Sequence, residues 1–366
     1  MKFFNRFYSK LNAAQLVIAV FIAFPLILLS AILIKKDSVI SVNENRVLTA
    51  RRDIRTDVLD GGFQKDLESY LSDQFPMREG LKRAEVDLGL TLRSGCIGDA
   101  YVGSGGRLFQ KILPGDVDSA KCVRYAARVN RIAEETGIGT YVMYVPSAGV
   151  SLREYMPAGA PMYDDEALFS SLRNQLKTCR VIDLRPVLSG HPEYYYATDH
   201  HWTAAGAAAA YAEWRAAHGS ASGAQPPELY TVTDSFRGTL WSRVPSERIR
   251  PEKMQAVRIP DGLHVEADGK EISLYDPSAL GTKDKYNFFE GGNHGILTVE
   301  NPAVKGGKTL LICKDSFANS FLPFLVNDYQ KIVMVDERYA FLDVGQLALD
   351  SGADEIAVIR EMISAG

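Results

Sequence analysis

The feature that most constrains this chain is an uncharged apolar run near its N-terminus, from Leu16 to Ile34. A helix needs about 20 predominantly apolar residues to cross the hydrocarbon core of a bilayer, and this run has that length. Pro25 and Ser30 are tolerated in membrane helices. The alternatives are a buried soluble helix or a signal peptide. The apolar core of a signal peptide is usually only about 7–15 residues and precedes small residues, whereas Lys35 and Lys36 follow here. We therefore expect an uncleaved transmembrane anchor.

The charges on either side of this run predict its orientation. Lys2, Arg6 and Lys10 precede it, and positive charge favours the cytoplasmic flank of a membrane helix. Lys35 and Lys36 on the other flank weaken that asymmetry. We expect a single-pass protein of the cell membrane with its N-terminus in the cytoplasm and most of the chain outside. The predicted divisions are a cytoplasmic tail (1–10), a transmembrane anchor (11–34), a helical stem (35–95) and a main domain (96–366).

Composition and cysteine content narrow the possible partners. The 366 residues carry a net charge of −4 and no basic tract with interleaved aromatic residues, so nucleic acid is not an expected partner. Cys96, Cys122, Cys179 and Cys313 permit disulfides outside the cytoplasm, but their spacing does not give a pairing. Cys313 stands in an apolar run and is expected to be a buried thiol. Neither a metal nor a cofactor is expected, because the sequence has no Cys-x-x-Cys motif or Cys/His cluster.

The stem and the main domain differ in hydrophobic periodicity. In the stem, apolar residues such as Leu67, Leu71 and Phe75 recur at helical spacing until Pro76 interrupts the pattern. The main domain alternates helix-length segments with short apolar runs rich in β-branched and aromatic residues. That alternation is typical of a mostly parallel sheet covered on both faces. The predicted strands are 139–146, 180–184, 309–314, 331–336 and 355–359, and the predicted helices are 116–136 and 203–218.

Turns are predicted at four places in the main domain. A Gly-rich turn within residues 102–110 joins two β-type stretches. Gly137 suits the C-terminal cap of the first predicted helix. Residues 263–275 read as a β-hairpin that turns at an Asp-Gly pair, positions 268 and 269. Residues 220–227, rich in Ser, Gly and Pro, are expected to form a surface loop.

Three short motifs carry residues suited to catalysis. Thr198–Trp202 reads TDHHW, and an Asp two residues before a His at the start of a helix can orient the imidazole and stabilise its cation. In the motif KDSF, Ser316 follows a predicted strand, where a sharp turn exposes a hydroxyl at the carboxyl edge of the sheet. Gly291–His294 reads GGNH and supplies a backbone N–H and a side-chain amide, the donor types of an oxyanion hole.

Each motif alone also has a simpler interpretation. The Asp of TDHHW and the Asp and Ser of KDSF are ordinary helix N-cap residues, and GGNH is a common turn composition. Their co-occurrence at strand and helix boundaries favours catalysis. Together they provide a nucleophile, a base, an orienting carboxylate and oxyanion donors, which acyl transfer requires.

The order of several motifs along the chain resembles that of the DHHW proteins, relatives of the alginate O-acetyltransferases in the SGNH hydrolase-like superfamily. The resemblance implies an α/β fold with an SGNH hydrolase-like (flavodoxin-like, three-layer) domain. It also implies circular permutation, because the Asp/His element precedes the serine. The segments that carry the resemblance are NENRVL (43–48), DQFPMR (73–78), DAYVGSGGRLF (99–109), TDHHW (198–202), FRGTLWSR (236–243), GGNH (291–294), CKDSFANSFLPFL (313–325) and VDERY (335–339).

The resemblance assigns catalytic roles to three residues. Asp199 corresponds to the carboxylate that orients the base, His201 to the base, and Ser316 to the nucleophile. By the SGNH logic of one Gly and one Asn donor, Gly292 and Asn293 are expected to form the oxyanion hole.

The resemblance also suggests residues that contact substrate. His200 falls at a variable position and is expected to be structural. Relatives often carry Lys after the proline that ends a strand, where this chain has Ser147. Ser147, Trp202, Arg338 and Tyr339 are expected to line the cleft, although Arg338 would equally suit an ion pair with a neighbouring acidic residue.

The implied activity is O-acetylation of a cell-surface or exported polysaccharide outside the cytoplasm, through an acyl-serine intermediate. The acetyl groups would come from a donor, with a separate multi-span membrane O-acyltransferase as a further implied partner. If water attacks the acyl-serine, the same residues make an acetylesterase. A third alternative is a non-catalytic polysaccharide-binding protein, in which Tyr194–Tyr196, Trp202 and Trp241 would stack on sugars.

Overall fold

The computed structural model describes residues 12–41, 46–58, 61–219 and 227–364, and the chain divides into two compact units, Met1–Leu88 and Gly89–Gly366. The helices are α1 (Ala13–Ile34), α2 (Gly62–Asp73), α3 (Arg78–Thr91), α4 (Ser119–Thr136), α5 (Ala148–Ser151), α6 (Asp165–Gln175), α7 (Arg185–Leu188), α8 (Ala204–Ala217), α9 (Thr239–Arg243), α10 (Leu322–Leu325) and α11 (Val344–Asp350). The strands are β1 (Ile40–Ser41), β2 (Arg46–Val47), β3 (Cys96–Ile97), β4 (Ala100–Val102), β5 (Leu108–Gln110), β6 (Gly139–Val145), β7 (Arg180–Asp183), β8 (Leu229–Phe236), β9 (Glu252–Val257), β10 (His264–Ala267), β11 (Lys270–Glu271), β12 (Ile296–Glu300), β13 (Thr309–Lys314), β14 (Lys331–Val335) and β15 (Glu355–Glu361). Short 3₁₀ segments are Arg51–Asp53, Ser104–Gly106, Pro114–Asp116, Arg153–Tyr155, Pro192–Tyr194, Pro277–Gly281, Lys285–Phe288 and Ser316–Ser320.

The apolar run of the sequence forms α1, an uncharged helix of 22 residues. Asn12 caps its first turn by accepting a hydrogen bond from the N–H of Gln15, whose side-chain oxygen accepts from the N–H of Asn12. Ser30 donates to the carbonyl of Leu26, so its hydroxyl is satisfied within the helix. The helix is long and apolar enough to cross a membrane, as the sequence predicts.

The rest of the first unit holds polar groups at the C-terminal end of α1. Nη2 of Arg51 donates to the carbonyl of Leu33 at 3.1 Å, and the N–H of Arg51 donates to Asp37 at 2.7 Å. These bonds satisfy a carbonyl at the last turn of α1, where no intrahelical donor remains. The amphipathic helix predicted for the stem is confirmed as α2, and Pro76 lies between α2 and α3. The predicted boundaries of anchor, stem and main domain stay predictions.

A mixed sheet of eight strands forms the centre of the second unit, in the order β11-β10-β12-β14-β13-β15-β6-β7. The five strands from β14 to β7 run parallel and are the strands that the sequence predicts. β12, β10 and β11 extend the sheet in antiparallel fashion, so the sheet is mixed, with the predicted parallel strands forming five of its eight. Because parallel strands end at one edge, the segments after β6, β13, β14 and β15 meet there.

Helices cover both faces of this sheet, as the sequence predicts. Side chains alternate between faces along a strand, so Tyr141 and Tyr144 of β6 point in opposite directions. The ring of Tyr141 lies 5.3 Å from that of Trp214 in α8. On the face of Tyr144, Arg360 of β15 lies 4.2 Å from the ring of Tyr125 in α4. Each fully buried aliphatic side chain between these layers contributes about 1.5–3 kcal/mol, which makes the sheet the rigid part of the unit.

The local turns also match the predictions. Gly137 ends α4 in a left-handed conformation with φ of 67°. Asp268 and Gly269, with φ of 48° and 79°, form the two-residue turn between β10 and β11. The Gly-rich turn lies between β4 and β5, and Cys313 is a buried thiol. All four cysteines are free thiols. Of the predicted surface loop 220–227, residues 220–226 lie outside the described residues.

Candidate active site

The TDHHW segment is held as a tight loop before α8. The N–H of Tyr196 donates to the carbonyl of His201, which closes the loop between them. Glu252 of β9 accepts hydrogen bonds from the backbone N–H groups of this loop. Its carboxylate accepts from the N–H of Ala197 at 2.8 Å, and from the N–H and the hydroxyl of Thr198 at 2.7 and 2.6 Å. The loop before the imidazole is therefore fixed by a carboxylate from a distant strand.

Asp199 orients the ring of His201. Its Oδ1 accepts from the N–H of His201 at 3.0 Å and lies 2.6 Å from Nδ1 of the same residue. Its Oδ2 accepts from the N–H of Thr239 at 2.6 Å. The neighbouring position must be Gly238, because a Cβ there would lie 2.2 Å from both Cβ and Oδ2 of Asp199. These contacts hold the proton of the imidazole on Nδ1 and leave the lone pair on Nε2.

Ser316 stands at the sharp turn that follows β13. Asp315 caps this turn, because its Oδ1 accepts from the N–H of Phe317 at 3.0 Å. Its Oδ2 accepts from the N–H of Glu361 at the end of β15, at 2.8 Å. The serine is thus fixed to the carboxyl ends of two adjacent strands of the sheet. Ser316 is partly exposed, whereas Asp315 and Phe317 are buried.

The structure brings the two motifs together, as the sequence predicts. Nε2 of His201 lies 2.7 Å from Oγ of Ser316. The ring of Tyr286 stacks on the imidazole of His201 at 4.0 Å and an interplanar angle of 4°. The hydroxyl of Tyr286 donates to the carbonyl of Ser316 at 3.1 Å. Tyr286 therefore contacts both His201 and Ser316 and helps to hold them next to each other. His201 and Asp199 are almost fully buried, so the partly exposed serine is the member of the three that a substrate reaches.

The electrostatics of the site separate the two histidines. Burial opposes the ionisation of Asp199, but the charges of His201 and His200 and the hydrogen bonds from His201 and Thr239 outweigh it and lower its pKa. Burial and the charge of His201 lower the pKa of His200 to about 3. His200 therefore stays neutral at ordinary pH, with its Nδ1 2.9 Å from Oγ1 of Thr239. A structural role for His200 stays a prediction.

The GGNH turn lies beside the strand that leads to the serine. Oδ1 of Asn293 is 3.3 Å from Nζ of Lys314 and accepts from the amide of Asn319 at 3.2 Å. The N–H of Gly292 donates to the carbonyl of Phe289 at 3.2 Å. That N–H is therefore used within the turn, and the role of Gly292 in the oxyanion hole stays a prediction. Asn293 is exposed and stays a predicted donor.

Two of the residues predicted to contact substrate are buried. Ser147 is 4% exposed, and its Oγ donates to Glu361 at 2.7 Å and lies 3.1 Å from the hydroxyl of Tyr163. Trp202 is 0% exposed and donates through Nε1 to the carbonyl of Phe317 at 3.0 Å. Both expectations are corrected, because neither side chain is open to a ligand.

The aromatic residues proposed for sugar stacking are also mostly interior. Tyr195, Tyr196 and Trp241 are buried like Trp202, and Tyr194 is only partly exposed. The buried members of this set present no open ring face on which a sugar could stack. Large aromatic residues commonly belong to the core, as the buried members of this set do.

Arg338 and Tyr339 lie beyond the carboxyl end of β14. Arg338 donates to both oxygens of the buried Asp336, at 2.8 and 2.6 Å, so the ion pair that the sequence allowed is present. Its guanidinium also influences the titration of His200 and is itself influenced by Asp315, which places it near the site. Tyr339 is 57% exposed and stays a predicted substrate contact.

Asp199, His200 and His201 lie close enough together to offer three ligand atoms to one cation, within 4.8 Å of one another. Oδ1 of Asp199 already accepts from His201, and its Oδ2 accepts from Thr239. Nε2 of His201 faces the serine hydroxyl. A cation would replace the bonds that define the site, so the arrangement suits proton transfer better than metal binding.

The fold and this site define an SGNH hydrolase-like α/β domain. Residues 111–277 match the family model of the SGNH hydrolase-like domain of the acetyltransferase AlgX. This range includes the Asp/His element and ends before Ser316. The resemblance to the DHHW and alginate O-acetyltransferase proteins is confirmed at this level, and the circular permutation stays a prediction.

Solved structures support the same fold. A DHHW family protein from Eubacterium siraeum DSM 15702 superposes with a TM-score of 0.61 at 24% identity, over 74% of this chain and 93% of that chain. PatB1 from Bacillus cereus, in a structure with a sulfonyl adduct, superposes with a TM-score of 0.60 at 16% identity, over 74% of this chain and 97% of that chain. A comparison with curated protein sequences gave no match.

Sequence reasoning missed several residues that shape the site. Gly238 and Thr239 lie within the quoted segment FRGTLWSR, and Lys314 within KDSF, but no local pattern gave them a role. Glu252 and Tyr286 stand in segments without any motif. Their contributions depend on contacts made across the chain, which spacing along the sequence does not reveal.

Proposed function

We propose that this protein is a membrane-anchored O-acetyltransferase that transfers acetyl groups to a polysaccharide outside the cytoplasm through an acyl-enzyme at Ser316. The observation that carries the proposal is the continuous series Asp199–His201–Ser316, with distances of 2.6 Å and 2.7 Å between successive side chains. A nucleophile, a base within hydrogen-bond reach and a group that orients the base are the elements of acyl transfer.

In the first half-reaction, Oγ of Ser316 attacks the carbonyl carbon of an acetyl ester or thioester while Nε2 of His201 takes its proton. Asp199 stabilises the imidazolium that forms. The negative charge on the carbonyl oxygen is held by the backbone N–H of Ser316 and the side-chain amide of Asn293. As the tetrahedral intermediate collapses, His201 returns the proton to the leaving group. Acetyl-Ser316 remains.

In the second half-reaction, a sugar hydroxyl attacks acetyl-Ser316, and Nε2 of His201 takes the proton of that hydroxyl. Collapse releases the acetylated sugar, and the proton passes from His201 to Oγ of Ser316. Water in place of the sugar gives free acetate. Because Ser316 is partly exposed, an acetylesterase is the second candidate function.

The proposed acceptor and the proposed location of the protein are supported by other observations than the catalytic geometry. The family match to a domain of the acetyltransferase AlgX favours acetyl transfer, and the resemblance to the alginate O-acetyltransferases suggests a polysaccharide acceptor. The apolar helix α1 supports a single-pass anchor, with Lys2, Arg6 and Lys10 favouring a cytoplasmic N-terminus. An acetyl donor, supplied with the help of a multi-span membrane O-acyltransferase, completes the proposal.

The central test is Ser316→Ala in the detergent-solubilised full chain, assayed with p-nitrophenyl acetate. We expect turnover to fall by about a thousandfold or more, because Ser316 is the one nucleophile that Nε2 of His201 faces in the described part of the chain. The fold should survive, since the change removes one partly exposed hydroxyl. Retention of wild-type turnover by a folded Ser316→Ala protein would refute the assignment.

Two companion measurements sharpen this test. A sulfonyl fluoride should modify Ser316 of the wild-type protein, as mass spectrometry of the labelled peptide would detect, and should leave Ser316→Ala unlabelled. Assays with an added oligosaccharide acceptor then separate the two candidate functions. Acetylated oligosaccharide as the main product supports the transferase, whereas unchanged release of acetate supports the esterase.

A further inference from the structure

A buried polar network lies next to Asn293 of the GGNH turn, and its other members are not used by the mechanism above. Lys314, the last residue of β13, has a side chain that is 1% exposed. Its Nζ donates to Oδ1 of Asn319 at 2.6 Å and to Oδ1 of Asn293 at 3.3 Å. Glu290, also 1% exposed, places Oε2 at 3.6 Å from the same ammonium. A buried lysine is costly, so its place two residues before Ser316 requires a reason.

The chemistry of the ammonium sets the direction of both amides. Lysine has three donors and no acceptor, so each amide atom that faces it must be an oxygen. With Oδ1 of Asn319 against Nζ, the NH₂ group of Asn319 turns towards Asn293, where it donates to Oδ1 at 3.2 Å. Two donors then hold Oδ1 of Asn293. The NH₂ group of Asn293 is then on the other side of its amide and has no part in these bonds, and the residue is exposed.

We infer that Lys314 is a positioning residue that fixes the amide of Asn293 with its NH₂ group towards the oxyanion that forms at Ser316. The inference rests on the proposed function and deepens it, because it says why the strand before the nucleophile ends in a buried cation. Without Lys314, nothing in this network distinguishes the two orientations of either amide. In the flipped orientation, Asn293 would present an oxygen lone pair to a negative charge.

Glu290 keeps this arrangement electrically balanced. Burial raises the pKa of its carboxyl, against the opposing effect of Lys314. Its backbone has φ of 64°, an uncommon conformation for a residue with a side chain, and the carbonyl of Glu290 accepts from Nε2 of His294 at 2.7 Å. The GGNH turn is therefore fixed by contacts of the Glu290 carbonyl with His294 and of the Glu290 carboxylate with Lys314. A purely structural role would be served as well by an apolar pair, which packs without the cost of desolvation.

The test is a double-mutant cycle on the full chain, with kcat and KM measured on p-nitrophenyl acetate. Asn293→Ala should lower kcat by about a hundredfold, the usual effect of removing one oxyanion donor. Lys314→Met should lower kcat by about tenfold to a hundredfold, with KM within about twofold, because the lost contact forms only in the transition state. The double variant should be no slower than Asn293→Ala alone, since Lys314 acts through Asn293.

Two results would overturn the inference: a wild-type kcat for Lys314→Met, or losses that multiply in the double variant. If Lys314→Met does not fold, Lys314→Met with Glu290→Met removes both buried charges together and is interpreted in the same way. Lys308→Met is the matched control, because Lys308 lies just before the start of β13 and should keep wild-type kcat. Activity in Ser316→Ala would defeat the proposed function itself, whereas these outcomes bear only on Lys314.

Discussion

Both edges of the central sheet hold a histidine beside a carboxylate, but among the described residues only the histidine at the carboxyl edge also bonds to a nucleophile. At the amino edge, Nε2 of His218 lies 3.3 Å from Oε2 of Glu355. At the carboxyl edge, Nδ1 of His201 lies 2.6 Å from Asp199 and its Nε2 lies 2.7 Å from the hydroxyl of Ser316. A histidine next to an acid is therefore not enough to identify a catalytic site in this fold.

The difference lies in what the second nitrogen of each ring faces. Nδ1 of His218 lies 2.8 Å from the carbonyl of Trp214, whereas its Nε2 is buried and makes no hydrogen bond within the described residues. The ring of His218 therefore has no hydroxyl or thiol bonded to Nε2, within the described residues, from which it could take a proton. His201 faces a carboxylate on one side and a hydroxyl on the other, so Nε2 can act as a base towards Ser316.

Alanine substitution of the two histidines is the strongest way to break this comparison. His201→Ala should lower kcat/KM for p-nitrophenyl acetate by about a thousandfold or more, because the general base is lost. His218→Ala should leave kcat/KM within about twofold of wild type. Equal losses in both variants would mean that the two edges are not functionally distinct.

His200→Ala is the closer control for the same experiment. This ring lies 3.8 Å from that of His201 but bonds to Thr239 and not to the serine. We expect substantial activity to remain. A loss as large as that of His201→Ala would show that the base has been assigned to the wrong imidazole.

A smaller effect is expected from Gly238→Ala, which acts on the base only through Asp199. The added Cβ would lie 2.2 Å from Oδ2 of Asp199, so the carboxylate has to move and the imidazole loses its orientation. A displacement of about 1 Å at a catalytic group costs about a hundredfold, which is the fall in kcat we expect. Gly115→Ala is the control, since a Cβ there meets no atom within 4 Å. Wild-type kcat in Gly238→Ala would show that Asp199 does not hold the base.

The strands and catalytic residues that could be predicted from the sequence are those that form local sequence patterns. The five parallel strands are short runs of β-branched and aromatic residues, and the residues at 199, 201 and 316 stand in motifs at the boundaries of these elements. A sequence pattern of this kind gives the secondary structure and the edge of the sheet. The same patterns therefore also predicted that His201 and Ser316 lie close together.

The parts that the sequence did not give depend on contacts between distant segments. Ser147 follows a strand end just as Ser316 does, yet its hydroxyl is bonded to Glu361, 214 residues away. Glu252 supports the histidine loop from a strand that carries no motif. The sequence positions of Ser147 and Glu252 do not indicate whether their side chains form buried hydrogen bonds or are exposed to a ligand. Only the structure shows that they are buried or bonded.

The two glutamates at the ends of β15 differ in their pKa shifts, and this difference should affect protein stability and not activity. Burial raises the pKa of Glu361 to about 7, opposed by the hydrogen bond from Ser147 and assisted by Asp315. At the other end, burial also opposes the ionisation of Glu355, but hydrogen bonds from Lys308 and Tyr329 outweigh it and lower its pKa. The two ends of one strand should therefore respond to pH in opposite directions.

For Glu361, the folded protein keeps a proton that the unfolded chain releases above its ordinary pKa of 4.5. Its contribution to stability is complete below that pH and is lost as the pH rises to about 7. Glu361→Gln should remove this dependence, which we expect to be about 1–3 kcal/mol. Urea unfolding of wild type and variant between those pH values measures it. Glu355→Gln is the opposite case, because the contribution of Glu355 is lost as the pH falls below 4.5. A parallel pH dependence of wild type and Glu361→Gln would contradict the prediction.

The smallest effect is expected from Lys308→Met at the amino end of the sheet. Lys308 bonds to Glu355, but its side chain is 60% exposed, so solvent screens the pair. Tyr329 still donates to Glu355 at 2.7 Å after the substitution. The unfolding free energy should therefore fall by only about 0.2–1 kcal/mol, with kcat unchanged. The buried ammonium of Lys314 is expected to behave in the opposite way, with a large effect on kcat. A loss of kcat in Lys308→Met comparable to that in Lys314→Met would show that any charge next to β13 matters equally, and the distinction between the two edges of the sheet would fail.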